Sequence, residues 1–186
     1  VRAGWRTCGL PVDRDGPTVR LGNASSAVAL PPRPHARATP SAVFVARSRQ
    51  GGRHLGARAY DALAAAFRSA GVELRHCCEW STMSACEQVA LFAGAGIVVG
   101  MHGAGLTNIA FTPRGSVLVE LKGWYKNEND LFRKVVQARW GGYVGVNTEP
   151  GEDGATLQPA SAWDRVAACA LAVWRGRDPL APDAEG

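Results

Sequence analysis

Lysine is scarce in this 186-residue chain, which has only Lys122, Lys126 and Lys134 among scattered arginines. With 21 Lys+Arg against 16 Asp+Glu, the formal net charge is +5. No basic run forms the stripe that a nucleic-acid binder presents to phosphates, so nucleic acid is not an expected partner. Long apolar runs are missing as well. The longest, around Val89–Met101, is broken by Gly94, Gly96 and Gly100, and a span of the bilayer needs roughly 20 apolar residues. No cysteines stand at CxxC spacing, so a structural zinc site is not expected. The five cysteines, Cys8, Cys77, Cys78, Cys86 and Cys169, are an odd number that cannot all pair within the chain. They read as small buried hydrophobes. An Asp-x-Asp triplet of the kind that holds Mn²⁺ occurs at Asp13-Arg14-Asp15, but Pro11 and Pro17 flank it and no strand precedes it. It reads as a solvated turn, and no metal is expected in the folded part.

What is present is globular: 46% hydrophobic and 20% charged residues. A domain takes roughly 100–150 residues, which leaves one domain and spare chain. The sequence opens on Val1 with no charged segment before an apolar one, and is expected to be a piece of a longer protein. Residues 1–40 carry Pro11, Pro17, Pro31, Pro32, Pro34 and Pro40 without a lasting period, and are expected to be linker or the remnant of a neighbouring domain. Asn23-Ala24-Ser25 is a glycosylation sequon, weak support for a secretory compartment. Residues 41–175 alternate strand and helix patterns. Apolar β-branched runs predict strands over Ala42–Ala46, Val72–His76, Ile97–Val99, Val117–Leu121 and Tyr143–Val146. Helical spacing predicts helices over 57–70, Cys86–Ala95, Ala104–Phe111, 128–140 and Ala162–Trp174, with Gly71 ending the first and Ser81 or Ser84 capping the second. Residues 150–160 read as loop and 176–186 as a frayed tail. Strands apolar through their length, alternating with helices, predict a Rossmann-like parallel α/β sheet with helices on both faces.

Ligands of such sheets sit beyond the carboxyl ends of the strands. Two features fall there. After the first strand comes Arg47-Ser48-Arg49-Gln50-Gly51-Gly52-Arg53. Arginine forks match phosphate oxygens, though a solvated basic loop is the plainer reading. After the third strand comes Gly100-Met101-His102-Gly103-Ala104-Gly105-Leu106-Thr107-Asn108, opening a helix. Glycines there let a ligand approach the backbone, and the helix start offers unpaired N–H groups that suit a diphosphate. Packing alone would also explain them. The His-Gly-Ala-Gly string has an esterase-like look, but no G-x-S-x-G nucleophile elbow occurs in the sequence. The match to a dinucleotide fingerprint is partial, because Asn108 stands where its third glycine belongs.

The Gly100–Asn108 block, followed by Phe111 and Pro113-Arg114-Gly115-Ser116-Val117-Leu118-Val119-Glu120, closely resembles the signature of glycosyltransferase family 61. Glu87-Gln88 ahead of Leu91-Phe92 and the stretch Ala46 to Arg53 extend the likeness, which covers roughly residues 42–146. The resemblance implies the donor-binding domain of an inverting, GT-B-type enzyme, without its acceptor-binding partner domain. It implies a UDP-sugar as donor, a polysaccharide or glycoprotein as acceptor, no metal cofactor, and residence in the ER or Golgi lumen as a single-pass type II membrane protein. Gly103, Ala104 and Gly105 would give backbone N–H groups to the diphosphate, and Arg47 and Arg53 would add charge. Glu87 would accept from ribose or cap its own helix. Glu120 would hold sugar or ribose, or pair with Lys122 at the surface. His102 is expected in the donor site rather than as the catalytic base, although the base role stays possible. Asn108 would tie its helix to a neighbouring loop, and Trp124 and Tyr125 would stack on a ligand or pack. Two rival readings stand beside the transferase: a non-catalytic Rossmann-like nucleotide-binding or interaction domain, and a dinucleotide oxidoreductase with Glu120 as its ribose acid.

Overall fold

The computed structural model describes residues 39–47, 54–77, 82–123, 131–139, 141–157, 159 and 161–176. Five parallel strands form the centre: β1 (Ala42–Val45), β2 (Leu74–Cys77), β3 (Ile97–Met101), β4 (Val117–Lys122) and β5 (Gly142–Asn147). Between and after them run α1 (Ala57–Ser69), α2 (Ala85–Ala93), a 3₁₀ helix (Ala104–Phe111), α3 (Leu131–Gln137) and α4 (Ala162–Trp174). The period of two along each strand divides the core. Phe44, Val99, Val119 and Leu121 point to one face, where Leu63 and Phe67 of α1 and Trp163, Leu171 and Trp174 of α4 cover them. Val43, Val45, Val98 and Leu118 point to the other, covered by Phe92 of α2, Leu106 and Ile109 of the 3₁₀ helix, and Phe132 and Val136 of α3. Both faces of the sheet are therefore buried, as a parallel sheet requires.

The strand order is β2-β1-β3-β4-β5. The chain moves outward from β1 to β2, then returns to lay β3 on the other side of β1. Connections leaving β1 and β3 thus turn to opposite faces and open a crevice at the carboxyl ends of these two strands. The two sequence features singled out above, the Arg47 segment and the His102 loop, leave the sheet on either side of that crevice.

Two local findings differ from the expectations, and the cap of α2 agrees with one of them. Residues 150–160 are not all loop, since β6 (Glu149–Gly151) and β7 (Gly154–Thr156) form an antiparallel hairpin. Its Asp153 carboxylate accepts from the Ala57 N–H at 2.7 Å and so caps α1 from outside. Cys77 is disulfide-bonded rather than a lone buried hydrophobe, while Cys86 and Cys169 are free thiols. Helix α2 is capped by a reciprocal box: the Glu87 N–H donates to Ser84 Oγ at 3.3 Å, and the Ser84 N–H donates to Glu87 Oε2 at 2.7 Å. Ser81, the other cap candidate, lies outside the described residues, as do residues 1–38 and 177–186.

Ser84→Ala removes the cap and should cost about 1 kcal/mol in urea unfolding. The hydrogen bonds from Ser84 hold the Glu87 carboxyl below its ordinary range. Its stabilising share is present above the unfolded pKa and lost as pH falls through the folded one. The difference between Ser84→Ala and the parent should therefore be smaller at about pH 3 than at pH 7.

Candidate functional site

Arg47 is the second residue past β1, and its guanidinium crosses the crevice. Its Nη1 donates to the backbone carbonyl of His102 at 2.6 Å. The crossing depends on the residue beneath it. A Cβ built on Gly103 would stand 2.2 Å from Arg47 Nη1 and 2.9 Å from its Cζ. Two features thus call for glycine here: an arginine lies on it, and its backbone stands at φ +159°, which L residues rarely adopt. The His102 N–H donates to the Leu121 carbonyl at 2.9 Å, so the loop stays pinned to β4 as it leaves the sheet. Beyond it, Ala104 is exposed and Gly105 half-buried at the start of the 3₁₀ helix. The first N–H groups of a helix have no carbonyl behind them, and here they belong to Ala104 and its neighbours.

Behind the loop lies a polar cluster. Glu120, fully buried in β4, accepts from His102 Nδ1 through Oε1 and from the Tyr143 hydroxyl, at 2.5 Å, through Oε2. Glu120 is therefore not a surface carboxylate paired with Lys122, and both its oxygens are engaged within the protein. Its place follows from the alternation in Val117-Leu118-Val119-Glu120-Leu121, which puts it in the layer of Leu118. In register it faces Gly100 of β3 and Gly145 of β5. A Cβ on Gly145 would come within 3.1 Å of the Tyr143 hydroxyl, so that glycine clears the path of the Tyr143 ring. The His102 ring packs edge-on against Phe132, centroids 5.3 Å apart, and its side chain is 13% exposed. Lys122 Nζ lies 5.9 Å from the Tyr143 ring centroid.

The remaining candidates divide. Glu87 is exposed and caps its own helix, the second of its two expected roles. Asn108 Nδ2 donates to Gln88 Oε1 at 3.4 Å, which ties the 3₁₀ helix to α2 rather than to a loop. Arg53, Trp124, Tyr125, Asp13 and Asp15 lie outside the described residues. Among the described residues no group of three or more His, Cys, Asp or Glu is placed to hold a metal ion, and no helix is long and apolar enough to cross a membrane. Tyr143 was read only as the start of a strand. A signal for its partner exists in the sequence, because a glutamate inside an apolar strand must meet donors.

The family model for glycosyltransferase 61 matches residues 14–119, more than half of the sequence. The chain belongs to glycosyltransferase family 61. The match takes in Arg47 and the whole His102–Asn108 block and stops one residue short of Glu120. No curated protein matches the chain. Among solved structures, a diflavin flavoprotein A3 from Nostoc sp. is similar at 12% identity and a TM-score of 0.50, over 75% of this chain and 93% of that one. The Flv1 flavodiiron core from Synechocystis sp. is similar at 14% identity and a TM-score of 0.50, over 76% of this chain and 38% of that one. At such identity the likeness shows the fold alone, a doubly wound sheet that this family 61 chain shares.

A side chain at Gly103 would meet the far end of the Arg47 side chain, which can swing away, and a backbone at φ +159°, ψ 175° that L residues rarely adopt. Gly103→Ala should therefore lower stability by about 1–3 kcal/mol in urea unfolding, with an unchanged circular dichroism spectrum. Arg47 should leave the His102 carbonyl in its crystal structure. A guanidinium still bonded there would contradict the packing account.

Proposed function

We propose that this chain is the donor-binding part of an inverting glycosyltransferase that takes its sugar from a UDP-sugar. The acceptor would be a polysaccharide or a glycoprotein. One observation carries the reading: a guanidinium and a glycine-opened helix start meet across the crevice where the strand order reverses, on the residues of the family block. A diphosphate there would meet Arg47 on one side and the N–H groups of Gly103, Ala104 and Gly105 on the other. In the transfer, an acceptor hydroxyl oxygen bonds to the anomeric carbon. The bond from that carbon to the β-phosphate oxygen breaks, UDP leaves with the electron pair, and the hydroxyl proton passes to a base. Charge grows on the leaving diphosphate, and donors already aimed at it lower the barrier. Arg47, with Arg53 as a further candidate, and the helix start supply this stabilisation without a metal ion. A second, acceptor-binding domain completing a GT-B-type enzyme, a membrane anchor and residence in the ER or Golgi lumen are parts of the same proposal. The oxidoreductase reading loses its ribose acid, because both oxygens of Glu120 are taken by His102 and Tyr143.

Calorimetry tests the donor site. UDP should bind, and binding should survive EDTA. Arg47→Ala should weaken UDP by about 1.5–3 kcal/mol, toward the lower figure because the side chain is exposed. Uridine, which offers no phosphate oxygen, should be indifferent to the same substitution. Equal losses for UDP and uridine would contradict phosphate recognition by Arg47.

A further inference from the structure

We propose that Glu120 and Tyr143 are positioning residues for the transfer, fixing the tautomer and the ring plane of His102 at the rim of the donor crevice. The inference rests on the donor-site reading for what His102 faces, but its geometry stands apart from it. A carboxylate with no exposure is costly unless its oxygens are hydrogen-bonded. Glu120 meets that demand with two side chains from different strand connections, His102 after β3 and Tyr143 in β5. The fold alone gives no reason for the arrangement. Glu120 shares its layer with Val98, Leu118, Phe132 and Val136, where an apolar side chain would serve, and buried ion pairs are often replaced by apolar groups without loss of stability.

What the carboxylate does is orient a ring. An ionised carboxylate only accepts, so the bond to His102 places a proton on Nδ1. Any action of the ring on a ligand then runs through Nε2. Three further contacts fix the residue: Phe132 against the ring edge, the Leu121 carbonyl at its N–H, and Arg47 at its own carbonyl. The last contact links the two halves of the site. The residue whose ring is held by Glu120 is also the one whose carbonyl holds the Arg47 guanidinium. Tyr143 reaches neither ring nor crevice through any of these bonds. Its hydroxyl holds the second carboxylate oxygen and so keeps the first aimed at Nδ1. Carboxylate-fixed imidazoles of this kind are a general device for setting which nitrogen faces the chemistry.

The test has two arms. In the parent protein labelled with ¹⁵N-histidine, at a pH where the ring is neutral, His102 should show the Nδ1–H tautomer. This measurement needs no variant and no ligand, so it stands whether or not UDP binds. Glu120→Gln, whose amide can present either end, and Tyr143→Phe should each mix the tautomers. In the full-length enzyme, both substitutions should lower kcat at least tenfold and leave the UDP-sugar KM within about twofold, because both act through the His102 ring. An Nε2–H tautomer in the parent would overturn the proposal. So would an unchanged kcat in a variant whose tautomer has mixed. Absent UDP binding alongside the expected tautomer would instead strike the donor-site reading.

Discussion

A carboxylate without solvent contact in the middle of a parallel sheet is the constraint around which the ligand end of this protein is arranged. Glu120 has no exposure, and a buried charge must find donors within reach. The glycines that flank it in register, Gly100 and Gly145, give the surrounding side chains room. Tyr143 and His102 supply the donors. His102 in turn offers its carbonyl to Arg47, which lies flat enough only because Gly103 has no side chain. One line of hydrogen bonds therefore runs from β5 through β4 and the loop after β3 to the end of β1. The carboxylate and the guanidinium meet at one residue, the first at its ring and the second at its carbonyl.

The same line explains why the crevice can be both accessible and ordered. Loops at strand ends carry function but lack the ladder that holds strands. Here the loop after β3 is pinned at His102 by backbone, ring and carbonyl together, while Ala104 and Gly105 remain reachable. The opposite edge of the crevice is Arg47, an exposed side chain held at one atom. Backbone N–H groups facing a guanidinium across a crevice are an arrangement suited to a diphosphate.

Much of this was legible in the sequence where local pattern and tertiary demand agree. Helix α4 spans Ala162–Trp174 as its spacing predicts, and β1 differs by one residue. The Gly loop and the Arg47 segment fall at neighbouring strand ends because βαβ connections leave little freedom. The β6–β7 hairpin was missed because three-residue strands show no period, and residues 150–160 hold Pro150, Gly151 and Gly154, which read as punctuation. The polar cluster was missed for another reason. Glu120 and Tyr143 are 23 residues apart, and only the β4–β5 register brings them together. The glutamate within Val117-Leu118-Val119-Glu120-Leu121 was visible, and the alternation that buries it could have ruled out a surface pair with Lys122. Gly103 was read as a place of close backbone approach for a diphosphate, and within the protein it is Arg47 that lies against it.

The central claim is that the crevice between the ends of β1 and β3 receives a nucleoside diphosphate. Amide chemical-shift mapping during a UDP titration tests it most directly. The account predicts that the largest perturbations fall on Ala46, Arg47 and the run from His102 to Gly105, with the groove along Tyr60, Arg68 and Leu74 on the far side of α1 unmoved. Saturable perturbations centred on that groove, with the His102 loop silent, would contradict it.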